Sequence, residues 1–261
     1  MFLLACAIPE PEPACVPSER LFGAPSEATG LDTDACAPTC DDCDDGPWTQ
    51  PTYTAADFAD WRAWTLLEPP APLTSDPYAE ATPEAPTADA VCAVVPDGAS
   101  YRLVNAASTD AALAAGGQVT HFGVCGACST LADLAVYASV PDLTEPVRAC
   151  GLAHLDGDIP ALTACIAAIG FTDACASIWA YNTLHTREAC LTECLEALGA
   201  PYNQPDGSLN PCLQCDEDAS GAVFAAVAGR TRRNTGLASS MCRPCAEVRP
   251  LVHAYGAPPA R

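Results

Sequence analysis

Lysine is absent from the chain. All 11 basic residues are arginine, and they face 33 acids, for a formal net charge of −22. A chain this acidic is repelled by phosphate backbones and by anionic membrane surfaces, so nucleic acid is set aside as a partner of the whole protein. Histidine is scarce too. His121, His154, His185 and His253 are the only four, and they form no dense cluster. No apolar run is long enough to read as a membrane span. Nucleophile-elbow, phosphate-loop and zinc-protease motifs are all missing, which removes the common signatures of hydrolases and nucleotide enzymes.

Cysteine is abundant, with 17 residues. This density favours an oxidising compartment, where thiols pair with one another. At the start of the chain, Leu3-Leu4-Ala5-Cys6 resembles the lipobox of bacterial lipoproteins. The resemblance covers four residues and implies lipidation of Cys6, a membrane partner through that lipid anchor, and a signal segment upstream. It implies an extracellular or outer cell-envelope location. With Cys6 removed, Cys15, Cys36, Cys40 and Cys43 precede residue 90, and twelve further cysteines follow it. Both sets are even, as two separately cross-linked units would require.

Three segments follow from composition. Residues 1–6 are read as the remnant of a lipoprotein signal. Residues 7–89 hold 14 of the 25 prolines and 17 of the 33 acids, and Ile8-Pro9-Glu10-Pro11-Glu12-Pro13 reads as a polyproline-like spacer. This block is expected to be an acidic, Pro-rich tether with a small cysteine knot and one short helix, residues 54–67, which carries Phe58, Trp61 and Trp64 and docks on the main domain. Asp41, Asp45 and Gly46 suit an EF-hand loop, but Cys43 and Thr52 stand where ligands are required, so the motif fails.

Residues 90–261 read as a mainly α, disulfide-rich helical domain with a few short strands. Strands are expected at 90–95 and 101–104, around Pro96-Asp97-Gly98, and at 118–124. Helices are expected from Ser129 to about Val140, and over 142–153, 158–169, 172–198, 220–228 and 238–255. In the longest, Ile178, Tyr181, Leu184, Leu191, Leu195 and Leu198 keep mostly to three- and four-residue steps, the mark of a buried stripe. Asn182, Thr183 and Thr186 are poor helix-interior residues, and a break there is expected.

Four Cys-x-x-Cys pairs stand at 40/43, 125/128, 212/215 and 242/245. The last two have the outline of a four-thiolate zinc site, which competes with disulfide formation. Cys125-Gly126-Ala127-Cys128 also resembles a dithiol redox motif, and with His121 it could supply three ligands for zinc or copper. The disulfide candidates are Cys15, Cys36, Cys40, Cys43, Cys92, Cys125, Cys128, Cys150, Cys165, Cys175, Cys190, Cys194, Cys212, Cys215, Cys242 and Cys245. Cys190 and Cys194, one turn apart, are expected to staple their helix to two different neighbours.

One region reverses the charge. From residue 219 to the end there are six arginines and one acid, Glu247. Arg230, Arg232 and Arg233 suit a small anionic ligand or an acidic glycan; the competing use is an internal pairing with Asp216-Glu217-Asp218. Tyr181, His185 and Arg187 could line a cleft. The chain thus reads as a secreted or lipid-anchored binding or structural module of the cell envelope. The alternative is an extracellular enzyme with a thiol or metal site at His121, Cys125 and Cys128, or with His185 as a catalytic group.

Overall fold

The computed structural model describes residues 20–42, 46–80 and 89–259. Cys6, Cys15 and Cys43, with the lipobox-like start and the first proline spacer, lie outside the described residues. In chain order the elements are β1 (Leu21–Phe22), β2 (Cys36–Ala37), β3 (Thr39–Asp42), β4 (Gly46–Thr49), α1 (Ala55–Ala63), β5 (Thr65–Leu66), β6 (Val91–Asp97), β7 (Ser100–Ala106) and α2 (Thr109–Ala114). Then come β8 (Gln118–Phe122), α3 (Leu131–Ser139), α4 (Thr144–Ala153), α5 (Ile159–Ala167), α6 (Asp173–Glu196), α7 (Pro211–Ala228), α8 (Arg232–Thr235) and β9 (Arg243–Pro244).

The architecture is mixed α/β and rich in disulfides, which corrects the expectation of a mainly α domain. Among the described residues three sheets accompany the helices. Their strand orders are β2-β1-β9, β3-β4 and β5-β7-β6-β8. The reason for the miss is physical. Strands of two to four residues are too short to show a period-two pattern, and several find partners far away in sequence, as where Leu21 faces Pro244. The four-stranded sheet is the exception. Its β6–β7 hairpin turns at Gly98, whose φ of 61° suits glycine, and Val91 through Val94 are buried.

Helix starts follow local capping chemistry. Thr54 and Asp57 form a reciprocal capping box on α1, and Asp158, Thr172 and Asn210 each accept a backbone N–H at the start of α5, α6 and α7. Trp61 of α1 is 1% exposed and enters the main core with Leu131, Leu134, Leu162, Ile166 and Ile178. The block expected to be a tether with its own cysteine knot is therefore, over its described part, packed onto the rest. Cys36 and Cys40 cross to Cys242 and Cys245, spanning 206 and 205 residues. The even counts on either side of residue 90 do not mark separate cross-linked units.

Seven disulfides occur among the described residues, and no Cys-x-x-Cys pair closes on itself. The others join Cys92–Cys125, Cys128–Cys175, Cys150–Cys165, Cys190–Cys215 and Cys194–Cys212. Cys190 and Cys194 reach one neighbour, α7, not two. Together they form a two-rung ladder between antiparallel helices. The helix break expected near Asn182 is not observed. α6 runs through Asn182 and Thr186, and its irregular residue is Cys190, with φ −124° and ψ 18°. The final stretch, expected to be helical, is mostly irregular, with β9 and a single 3-10 turn at Cys245–Glu247. Pro244 and Pro250 cannot continue a helix, and two disulfides pin the segment.

Candidate functional site: an apolar cleft walled by α4, α6 and α7

A cavity of about 530 Å³ opens between α4, α6, α7, α8 and the segment that follows α8. Its size is that of a small-molecule site. Buried Leu143, Leu213 and Leu237 form its interior, with Trp179 and Phe224 on the walls. Its mouth carries Leu152, Leu155, Leu191, Leu195 and Leu198, which are between 52% and 64% exposed. An isolated exposed leucine is ordinary; five gathered at one opening form a patch that asks for an occupant.

The same leucines correct an expectation. Leu191, Leu195 and Leu198 were to continue the buried stripe of α6, yet Ile178 is fully buried and these three are not. The kink at Cys190 turns the last part of the helix, so a stripe with regular spacing changes its surroundings. The disulfide ladder holds this turned end against the start of α7, and Cys150–Cys165 ties α4 to α5. At Gly151 a Cβ would come 2.7 Å from the Thr183 methyl, so α4 approaches α6 closely there. Walls fixed in this way lose little freedom when a ligand enters.

One wall is polar. The Thr186 hydroxyl donates to Asp216 Oδ1, and Asn182 Nδ2 donates to the same oxygen at 3.2 Å. Tyr78 OH donates to Asn182 Oδ1 at 2.6 Å. Burial raises the Asp216 carboxyl above its ordinary value, and the hydrogen bonds from Thr186 and Asn182 oppose that rise. These partners explain why helix-unfriendly Asn182 and Thr186 stand inside α6: their side chains satisfy a carboxylate from α7. On the next face, His185 Nδ1 lies 2.9 Å from Ser220 Oγ, and its ring stacks on Tyr78 at 4.2 Å. Ser220 is 1% exposed, so this pair presents no accessible nucleophile. Neither His185 nor Tyr181 lines the cleft, whereas Arg187 does.

The arginines divide by role. Arg230 is fully buried; it donates to the Cys128, Thr120 and Ser129 carbonyls and to the Thr120 hydroxyl, so it is a packing residue and not a ligand contact. Arg233 pairs with Glu217 at 2.6 Å and Glu247 at 2.8 Å, and Arg243 shares Glu217. That is the internal pairing weighed for this run. Arg232 lines the cleft and donates to the Tyr137, Val140 and Ala238 carbonyls.

The site expected at His121, Cys125 and Cys128 does not assemble. Both sulfurs are committed to disulfides with Cys92 and Cys175. His121 is fully buried, with its ring nitrogens 2.9 Å from the Phe122 carbonyl and 2.7 Å from Ser129 Oγ. Burial holds its pKa well below the ordinary histidine value. At Gly126 a Cβ would lie 2.4 Å from the Val227 carbonyl, so glycine is needed where this turn presses on the end of α7. Cys212, Cys215, Cys242 and Cys245 are likewise disulfide-bonded to four separate partners. These donor sets do not fit zinc or copper, which bind thiolates. Among the described residues no group of three or more His, Cys, Asp or Glu could hold a metal ion.

The cleft residues were missed in the sequence because leucines at three- and four-residue steps mark a core stripe and a binding wall alike. Among the described residues, no helix is long and apolar enough to cross a membrane. No curated protein and no solved structure matches the chain. Residues 159–250, which include α6, α7 and α8 of the cleft, match the model of a family of unknown function, DUF8771.

Proposed function

We propose that the chain is a binding module of the extracellular space or cell envelope, tethered through Cys6, which holds a small, largely apolar ligand in the cleft. The observation that carries this reading is the set of five exposed leucines around one apolar cavity. Soluble surfaces seldom gather such residues without a binding role. The cross-links suit a protein that keeps its site preformed outside the cell, and seven disulfides are compatible with that location. The thiol or metal enzyme is not favoured, since it needs free Cys125 and Cys128.

The test is a titration of the oxidised protein with N-phenyl-1-naphthylamine, an uncharged apolar fluorophore. One saturable site is expected. Leu191→Ser combined with Leu195→Ser should weaken binding roughly thirtyfold, because each leucine loses apolar contact worth about 1 kcal/mol at half burial. Both side chains are more than half exposed, so the unfolding temperature should stay within about 2 °C. Unchanged binding in the double variant would sink the assignment of the cleft.

A further inference from the structure

We propose that the ligand is a single-chain aliphatic carboxylate whose head is held by Arg232. This deepens the reading of the cleft as an apolar site and rests on it. The first support is the distribution of charge. The cleft is lined by Arg148, Arg187, Arg232, Arg233 and Arg243, against Asp142, Asp216 and Glu217. A chain with three acids for each arginine thus turns locally positive around one apolar cavity.

The second support is the state of each guanidinium. Arg148 pairs with Glu145, and Arg233 and Arg243 both pair with Glu217. Arg187, at the mouth, donates to the Leu155 carbonyl at 3.2 Å. Arg232 has backbone carbonyls as its acceptors, sits over the Tyr137 ring at 5.6 Å, and forms no ion pair among the described residues. Its Nε makes no hydrogen bond among them either. Asp142, whose charge acts on Arg232 without forming an ion pair with it, accepts the Tyr202 hydroxyl at 2.9 Å. Burial pulls the Arg232 pKa down to about 10, so it remains a cation at neutral pH. A cation facing an apolar cavity with only neutral acceptors is completed by an incoming carboxylate, which forms charge-assisted bonds there.

A cationic head would meet carboxylates that already have partners: Glu217 is shared by two arginines, Asp216 is hydrogen-bonded by Thr186 and Asn182, and Asp142 accepts from the Tyr202 hydroxyl and the Thr144 N–H. The aliphatic tail then follows the leucines toward the mouth, where no aromatic or polar group is required to receive it.

The experiment compares three probes of one chain length on the wild-type protein: dodecanoate, dodecanol and dodecyltrimethylammonium, each below its aggregation concentration. Binding is read by calorimetry and by the fluorescence of Trp179 on the cleft wall. Dodecanoate should bind roughly tenfold more tightly than dodecanol, the gain of one charge-assisted contact, and the cation should bind most weakly. Arg232→Met should bring dodecanoate down to the dodecanol level and leave dodecanol within about twofold, while Arg102→Met in β7, outside the cleft, leaves both unchanged. Equal binding of dodecanoate and dodecanol to the wild type would overturn the carboxylate assignment and leave the apolar site standing. A loss in Arg187→Met in place of Arg232→Met would also overturn it. If none of the three probes bound, the apolar-ligand reading would fall with it. The wild-type comparison decides the matter even if Arg232→Met does not fold.

Discussion

Arg230 offers the sharpest separation between a ligand contact and a packing residue. Replacing it by Met keeps much of the stem volume and removes every donor. The Thr120, Cys128 and Ser129 carbonyls and the Thr120 hydroxyl then lose a partner held at 2.7–3.1 Å. Each buried polar group left without its partner costs about 1–3 kcal/mol. Taking the low end for four groups gives about 4 kcal/mol. Against this stands relief of burying the guanidinium, whose pKa burial lowers. Breaking such a buried network by removing one member still costs about 3–5 kcal/mol, so loss of donors wins. For a chain of this size, about 4 kcal/mol lowers the unfolding temperature by roughly 10 °C. The assay is thermal unfolding by circular dichroism with disulfides intact, run beside the dodecanoate titration. Arg230→Met should unfold early and bind normally at 20 °C, and an unchanged unfolding temperature with lost binding would refute the reasoning.

Two further predictions concern stability. Burial lowers the pKa of His253 to about 3 and that of His121 well below 6.5. The unfolded chain therefore takes up protons first as pH falls below 6.5, and stability, complete above that value, declines between pH 6.5 and 5, by about 2 kcal/mol for His253 and in the same direction for His121. Asp133 and Asp216, whose pKa values are raised, act in the opposite sense at lower pH. Urea unfolding across this window should show the decline, and His253→Gln should flatten it; an equal slope in that variant would count against the buried neutral imidazole. Gly221 sits inside α7 on the cleft wall, where a Cβ would meet only a Glu217 carboxylate oxygen at 3.6 Å. Gly221→Ala should therefore stabilise by about 0.5–1 kcal/mol in the same unfolding assay, and a destabilised variant would show that this wall has no room.

What the sequence makes legible is local. Thr172 and Asp158 announce helix starts through their short side chains, Pro96-Asp97-Gly98 announces a hairpin, and the density of cysteine announces cross-linking. What it hides is long-range. Nothing near Cys36 or Cys40 points to Cys242 and Cys245, more than 200 residues away, because a disulfide partner is chosen by the finished fold. Composition misled for residues 20–80. Proline and acid suggested a tether with its own cysteine knot, yet Cys36 and Cys40 bond to Cys242 and Cys245, and Leu73 and Tyr78 pack on the main core beside the docked helix of Trp61. The cleft was invisible for a related reason: the periodicity of Leu191, Leu195 and Leu198 says that they share a face but not what that face meets. Arg230, Arg232 and Arg233 are close in sequence and diverge in the fold, Arg230 into the core, Arg232 to backbone carbonyls at the cleft and Arg233 to Glu217 and Glu247 on the cleft wall.

The measurement that bears most directly on the cleft is the titration of N-phenyl-1-naphthylamine into Gly221→Phe, with Gly221→Ala as its control. The ring at position 221 projects from α7 into the cavity and occupies the space that a ligand would take. The account predicts one saturable site in the wild type and in Gly221→Ala, and none in a Gly221→Phe protein that unfolds at an undiminished temperature. Full binding by a folded Gly221→Phe would contradict it and send the search for the ligand to another surface.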